Sequence, residues 1–366
     1  MMKTLRLMFR GEQEFDFPRM WRWMLPASAL LMAVSIGSFF IQGLELGIEF
    51  EGGTSWEVLA PDASVADTRD ALSGTDAAAG KIQVLGGDTV RVRADLDTAE
   101  AIDAVTAVLA ELAGADTTDV SVTTVGPSWG DEITNQARNA LIWFFVIIAV
   151  YIAVRLEWKM AVGALVAVVH DIVLSVGFYS VFGFEVTPAT VIAFLTIMGY
   201  SLYDTIVVYD RVRELEGRLT ATGRYTYTEM MNAGLNQVLM RSINTSFTSV
   251  LPVLSMLLVG SVFLGALTLQ EFAIALLVGI VVGAYSSVSV ASAVVAFLKE
   301  REEGHRAVAR KVEARGLTGG ATRSVDRAEV VHSVAAARPS APIPTADRPR
   351  PTGTAPPRPR KKKKKR

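Results

Sequence analysis

Cysteine is absent from the 366 residues, which excludes disulfides, thiolate metal sites and cysteine nucleophiles. Histidine occurs only three times. No phosphate-binding loop, metal-ligand cluster or nucleophilic triad can be assembled from the spacing of the remaining residues, so no cofactor, no ATP hydrolysis and no enzymatic activity are expected. Charge is missing over long stretches, since no Asp, Glu, Lys or Arg interrupts 242–270 or 272–298. Aromatic residues stop at Phe297.

What is present is apolar, at 51% of the chain, with the charges collected into blocks. Crossing a hydrocarbon layer by helix takes about 20 mostly apolar residues. Six stretches qualify: 23–42, 139–154, 160–182, 188–209, 243–264 and 272–298. The first follows Arg19 and Arg22 without a clean small-x-small cleavage site after it, and reads as a retained anchor.

The net charge of -1 hides an asymmetry. Residues 43–132 carry eighteen Asp and Glu against Arg69, Lys81, Arg91 and Arg93. The opposite loops carry Lys3, Arg6, Arg10, Arg155, Lys159, Arg211, Arg213, Arg218 and Arg224, and the chain finishes in a basic tail. By the positive-inside rule both termini are cytoplasmic and the acidic segment lies outside. The expected organisation is a cytoplasmic N-terminus (1–22), a first transmembrane helix (23–42), an extracytoplasmic domain (43–132), a five-helix remainder of the bundle (133–298) and a cytoplasmic tail (299–366).

The outer segment has its own grammar. A strand is predicted over 54–59 and a capped helix over 64–72, followed by a hairpin of 81–85 and 89–93 across Gly86-Gly87 whose alternation suits a half-buried pair. Asp97 and Glu100 resemble a capping box opening a helix with Ile102, Val105, Leu109 and Leu112 on one face, and 119–125 supplies a last strand. The order β-α-β-β-α-β predicts a ferredoxin-like α+β domain on a polytopic α-helical membrane protein. The tail holds eight prolines between Pro339 and Pro359, so 316–366 reads as disordered. Its Lys361 to Arg366 run suits anionic lipid, or is a solvated charge run that reinforces topology; no nucleic acid is expected.

Ionisable groups inside hydrocarbon cost at least about 2.5–3.5 kcal/mol each, so they persist where they have partners or a task. Asp204 on the fourth span and Arg241 near the start of the fifth sit at similar depth with opposite charge, and are expected to pair. After Arg241, the residues Asn244, Thr245, Thr248 and Ser249 fall on one helical face, continued by Pro252 and Ser255. Turned toward Tyr200 and Ser201, this stripe is expected to line a polar channel. His170 and Asp171 lie about halfway along the third span, and Gly279 and Gly283 give the sixth a small-xxx-small surface. Two readings stand side by side: a permanent Asp204–Arg241 ion pair fixing the bundle, or a proton relay in which protonation frees the arginine.

Several stretches resemble the SecF family of bacterial protein-export subunits, within the resistance-nodulation-division superfamily. They are Leu46-Gly-Ile-Glu-Phe-Glu-Gly-Gly-Thr54, Val169-His-Asp-Ile172, Gly199-Tyr-Ser-Leu-Tyr-Asp-Thr-Ile-Val-Val-Tyr-Asp-Arg211, Arg241-Ser-Ile-Asn-Thr-Ser246 and Gly283-Ala-Tyr-Ser-Ser287, within about 22–298. The resemblance implies a six-helix half-bundle in the bacterial cytoplasmic (inner) membrane. Its partners would be the homologous bundle of SecD, the SecYEG channel and preprotein clients, with protons as coupling ion for late translocation. It maps the relay onto Asp204 and Arg241, and Asp171 on the third span is read as its third member. In the Gly-Gly element, Glu49 stands where the family usually has Asp and Glu51 where a neutral residue is common, while Gly52 and Gly53 suit a tight backbone path into the first strand. The same residues admit two other functions. One is a proton-driven exporter of lipid or small molecules from the same superfamily. The other is an intramembrane aspartyl protease using Asp204 and Asp171, disfavoured by the absence of a Gly-x-Gly-Asp element.

Overall fold

The computed structural model describes residues 15–85, 88–219, 224–263 and 267–314. Helix α1 (Phe17–Gln42) leads through β1 (Glu45–Leu46) and the single turn α2 (Ile48–Glu51) into a separate sheet domain. That domain comprises β2 (Gly53–Leu59), α3 (Val65–Ala71), β3 (Lys81–Leu85), β4 (Thr89–Ala94), α4 (Ala99–Ala113) and β5 (Ser121–Val125). The chain then returns through α5 (Pro127–Arg155), α6 (Trp158–Phe182), β6 (Glu185–Val186), α7 (Pro188–Leu219), α8 (Tyr227–Met256), α9 (Leu267–Ser286), α10 (Ser292–Glu300) and α11 (Glu303–Ala314). Among the described residues six helices are long and apolar enough to cross a membrane, the last joining α9 to α10.

Hydrocarbon offers the backbone no hydrogen-bond partner, so each apolar run satisfies itself as helix. The helices nevertheless outrun the apolar stretches. Helix α8 starts at Tyr227 rather than 243 because Thr226 and Glu229 form a capping box and Tyr227, Met230, Met231 and Leu235 are buried in the bundle. Arg241 is therefore mid-helix, not near its start. Helix α5 begins at Pro127, directly after β5, and its first turn lies against α2, where a Cβ on Gly130 would come within 2.8 Å of the Phe50 carbonyl. Between α9 and α10 the helix passes through a π turn over Ser287–Ala291. Side chains from other helices take up carbonyls of that turn: Trp21 Nε1 donates to Val288 O at 3.1 Å and the Tyr209 hydroxyl to Ala291 O at 3.1 Å.

The sheet order is β3-β4-β2-β5 with every pairing antiparallel, the ferredoxin-like arrangement. Trp56, Val58, Val90, Val92, Leu72, Val105 and Leu109 form its core, and Trp56 Nε1 donates to Thr106 Oγ1 at 3.0 Å. Two expectations need correction. Helix α4 is capped at Thr98 with no side-chain bond, so the Asp97/Glu100 box does not form. The hairpin's polar face is not solvent-facing either: Arg91 and Arg93 are buried against the membrane bundle. The Gly86-Gly87 turn and the segment 316–366 lie outside the described residues.

Gly52 (φ 82°) and Gly53 (φ 103°) carry the chain from α2 into β2, as the tight path required. A Cβ on Gly53 would stand 2.9 Å from the Ala94 carbonyl. Gly53→Ala is expected to destabilise the chain by about 1–3 kcal/mol. Gly74→Ala, with nothing within 4 Å, is the neutral control. Equal melting temperatures for the two variants would refute this account of the Gly-Gly element.

Candidate functional site

Asp171 sits on the inner face of α6, 3% exposed. It accepts from Ser201 Oγ of α7 at 2.6 Å and from Ser286 Oγ of α9 at 2.9 Å, while His170 Nδ1 lies 3.1 Å from its other oxygen. Next to it Thr205 and Ser287 hydroxyls bond at 2.9 Å, and Ser287 Oγ also reaches the Ser201 carbonyl at 3.3 Å. The seam closes because Gly279 and Gly283 face Ile197 and Ser201 with no side chain between them; a Cβ on Gly283 would stand 2.7 Å from Ser201 Cβ. Asp171 thus joins three helices through its side chain. Ser286 and Ser287 lie three and four residues after Gly283, a same-face spacing that could have been read from the sequence.

Asp204 lies one turn further along α7, 7% exposed. Its Oδ1 accepts from Ser242 Oγ at 2.7 Å, and among the described residues its buried Oδ2 has no hydrogen-bond partner. Arg241 is exposed and donates through Nη2 to the Tyr203 hydroxyl at 3.0 Å. The expected Asp204–Arg241 pairing is therefore corrected: among the described residues no ion pair joins them, and each has its own hydroxyl. The cause is rotation. Neighbouring residues on a helix point about 100° apart. Ser242 takes the inward direction on α8 and Asp204 on α7, which leaves Arg241 and Tyr203 together on the outer surface.

The same rotation displaces the polar stripe. Asn244 and Thr248 are exposed, while Thr245 and Ser249 are half-buried. Thr245 and Thr248 return their hydroxyls to α8 itself, at Arg241 O and Asn244 O, each at 2.9 Å. The stripe does not line a channel inside this chain; it lies on the bundle's outer surface beside Arg241. Ser201 is buried on the Asp171 cluster, and half-buried Tyr200 packs against the cluster of Val253, Ala273 and Ile280. Glu49, Gly52 and Gly53 belong to the junction with the sheet domain, away from both carboxylates. Asp171 and Asp204 accept from different hydroxyls and share none, unlike the shared-proton dyad of an aspartyl protease.

Residues 104–301 match the family model described as protein export membrane protein SecD/SecF, C-terminal. The chain is 40% identical to the protein translocase subunit SecF of Streptomyces coelicolor over 316 residues, covering 85% of this chain and 84% of that one. It is 36% identical to the SecF of Mycobacterium tuberculosis H37Rv over 333 residues, covering 88% and 75%. The crystal structure of SecDF from Thermus thermophilus superposes with a TM-score of 0.71 at 34% identity, over 81% of this chain and 42% of that longer one. This multi-pass membrane protein belongs to the SecF family of protein translocase subunits.

Proposed function

We propose that this chain is the SecF half of a proton-driven auxiliary machine for protein export in the bacterial cytoplasmic membrane. Both termini lie on the cytoplasmic side and the acidic sheet domain lies outside, as the distribution of Lys and Arg supports. A SecD-type bundle covers the exposed Arg241–Asn244–Thr248 surface, and the pair works beside the SecYEG channel on emerging preprotein clients. Two findings support that partnership. The T. thermophilus relative carries SecD and SecF in one chain described as translocon-associated, and the polar surface of α8 is unsuited to lipid.

The observation that carries the proposal is Asp204 itself. A carboxyl buried in a spanning helix, bonded to the Ser242 hydroxyl and with the charge of Arg241 nearby, is a group that can take up and give back a proton. Ionised, it attracts the nearby guanidinium of Arg241 off Tyr203; protonated, it releases it. The proton is the coupling ion, and each one moved through 100 mV supplies about 2.3 kcal/mol to bias the bundle. Asp171, bonded to the Ser201 and Ser286 hydroxyls, holds α6, α7 and α9 in register beside this relay.

The test is proton entry into liposomes that carry this chain with its SecD-type partner and enclose a pH-sensitive dye. An imposed gradient is expected to acidify the lumen faster than in protein-free vesicles, and Arg241→Met to slow it to their rate. Equal rates with and without the wild-type pair would overturn the proposal.

A further inference from the structure

Helix α5 is fastened near both ends and stands off the bundle between them. Near its start Gly130 lies against the Phe50 carbonyl. Toward its finish Ile148 and Ile152 are buried in the bundle core, and Arg155 Nη2 donates to Asp210 Oδ2 of α7 at 3.0 Å. Between these fastenings Trp143 and Ile147 are exposed, as side chains facing hydrocarbon should be. Leu141 and Phe145 lie one turn apart on the same face as Ile148 and Ile152, the face turned toward the bundle. Beneath those two side chains there is a cavity of about 290 Å³ instead of packed neighbours. Ile172 and Val176 of α6 form one wall, and Val191 and Phe194 of α7 the other.

Depth, chemistry and size each narrow what can occupy this space. Leu44 and Val186 mark its rim at the end of the bundle that carries the sheet domain, and Asp171, about halfway along α6, marks its floor. From Val191 to Met198 the wall of α7 descends about 10 Å. With the rim added, the cavity has the depth of one leaflet, half of the roughly 30 Å of hydrocarbon. Among the described residues that line it, only Asp171 and Ser175 carry polar side chains, and Asp171 already bonds hydroxyls of α7 and α9. A water needs two to four polar partners, so a file of water cannot be held along walls of Val, Ile and Phe. An apolar cavity of about 150 Å³ already takes up benzene, so one of about 290 Å³ suits a longer apolar body. At this depth in a bilayer the abundant apolar bodies are the hydrocarbon tails of lipids.

We propose that one acyl chain of a bilayer phospholipid, entering from the leaflet on the sheet-domain side, fills this cavity and seats α5 on α6 and α7. The headgroup stays at the rim beside Leu44 and Val186, and the methyl end of the chain reaches the level of Asp171 and Met198. The chain supplies the contacts that Leu141, Phe145 and Phe194 lack, which an empty cavity forfeits. It also keeps water away from Asp171, so the bonds from Ser201 and Ser286 stay strong in a dry surrounding. The proposal rests on the membrane-spanning bundle alone and requires nothing of Asp204.

The test places the full chain in liposomes doped with a phosphatidylcholine that carries a diazirine near the methyl end of one acyl chain. After illumination, peptide mass spectrometry is expected to find adducts on Ser175 and Met198, which line the cavity and are only 5% and 4% exposed. Val176→Phe and Val191→Phe, made separately, narrow the cavity from opposite walls. Each is expected to lower those adducts about tenfold, equivalent to about 1.4 kcal/mol against the bound chain. Labelling of exposed Ile147 is expected to stay at the parent level in both. Adducts confined to exposed positions of the parent, which would leave the cavity to a peptide segment, would overturn the proposal. So would undiminished labelling of Met198 in both variants.

Discussion

Asp204→Asn is expected to abolish the gradient-dependent part of protein export while leaving the chain inserted, folded and bound to its partner. Asparagine keeps a carbonyl oxygen where Oδ1 accepts from Ser242 and has nearly the same volume. Replacing one acceptor by another at an existing bond changes stability by about 1 kcal/mol or less. What disappears is titration. If one proton biases the bundle by about 2.3 kcal/mol per 100 mV, its loss removes roughly a 50-fold preference between bundle states. Export measured by pulse-chase in depleted cells carrying the variant should match that in cells lacking the chain. Stimulation of translocation by an imposed gradient in vesicles should vanish. Arg241→Met is expected to give the same defect with even less structural disturbance, because the Arg241 side chain is exposed and its guanidinium, among the described residues, donates to the Tyr203 hydroxyl alone. Gradient-stimulated export at the parent rate in either variant would sink the relay.

Much of the architecture was legible because the membrane imposes a strong rule on sequence. A run such as 272–298 without one charge has few fates, and strand alternation with a β-α-β-β-α-β order leaves few topologies. What could not be read was rotation. Asp204 and Arg241 were identified as the notable charges from composition and depth alone, but which of Arg241 or Ser242 faces α7 depends on the packing of both helices. A hydropathy reading carries no such information. Ser242, one serine beside an arginine on a polar helix, carries no signal of its own until the rotation is known. The helix starts at Tyr227 and Pro127 are hidden for another reason. Their first turns are polar, and they stay helical through capping and contacts with other elements rather than through lipid. The burial of Arg91 and Arg93 is hidden for a third reason: alternating polar residues on a strand read as a wet face unless another layer is known to cover it.

The seam between α7 and α9 is where a single added side chain should do most damage. Gly283→Val places a Cβ where only 2.7 Å separates it from Ser201 Cβ and 3.0 Å from Ser201 Oγ, so backbone as well as side chain must yield. Overpacking of this kind costs about 1–3 kcal/mol. Moving α9 outward also stretches the bonds from Ser201 and Ser286 to Asp171, at 2.6 and 2.9 Å, and leaves a buried carboxylate short of donors. Each lost partner of a buried charged group adds about 1–3 kcal/mol. A total of roughly 3 kcal/mol or more, a large share of the stability of an ordinary domain, is expected as a lowered melting temperature in detergent and faster proteolysis. Ser201→Gly removes the atoms that clash but also one donor to Asp171. In the Gly283→Val background it is expected to recover the packing loss only, so the two changes combine to less than the sum of their separate effects. Strict additivity would mean that the two residues do not meet. A parent-like melting temperature for Gly283→Val would mean that the helices do not approach at this point, and the account of Asp171 as the bolt across three helices would fall with it.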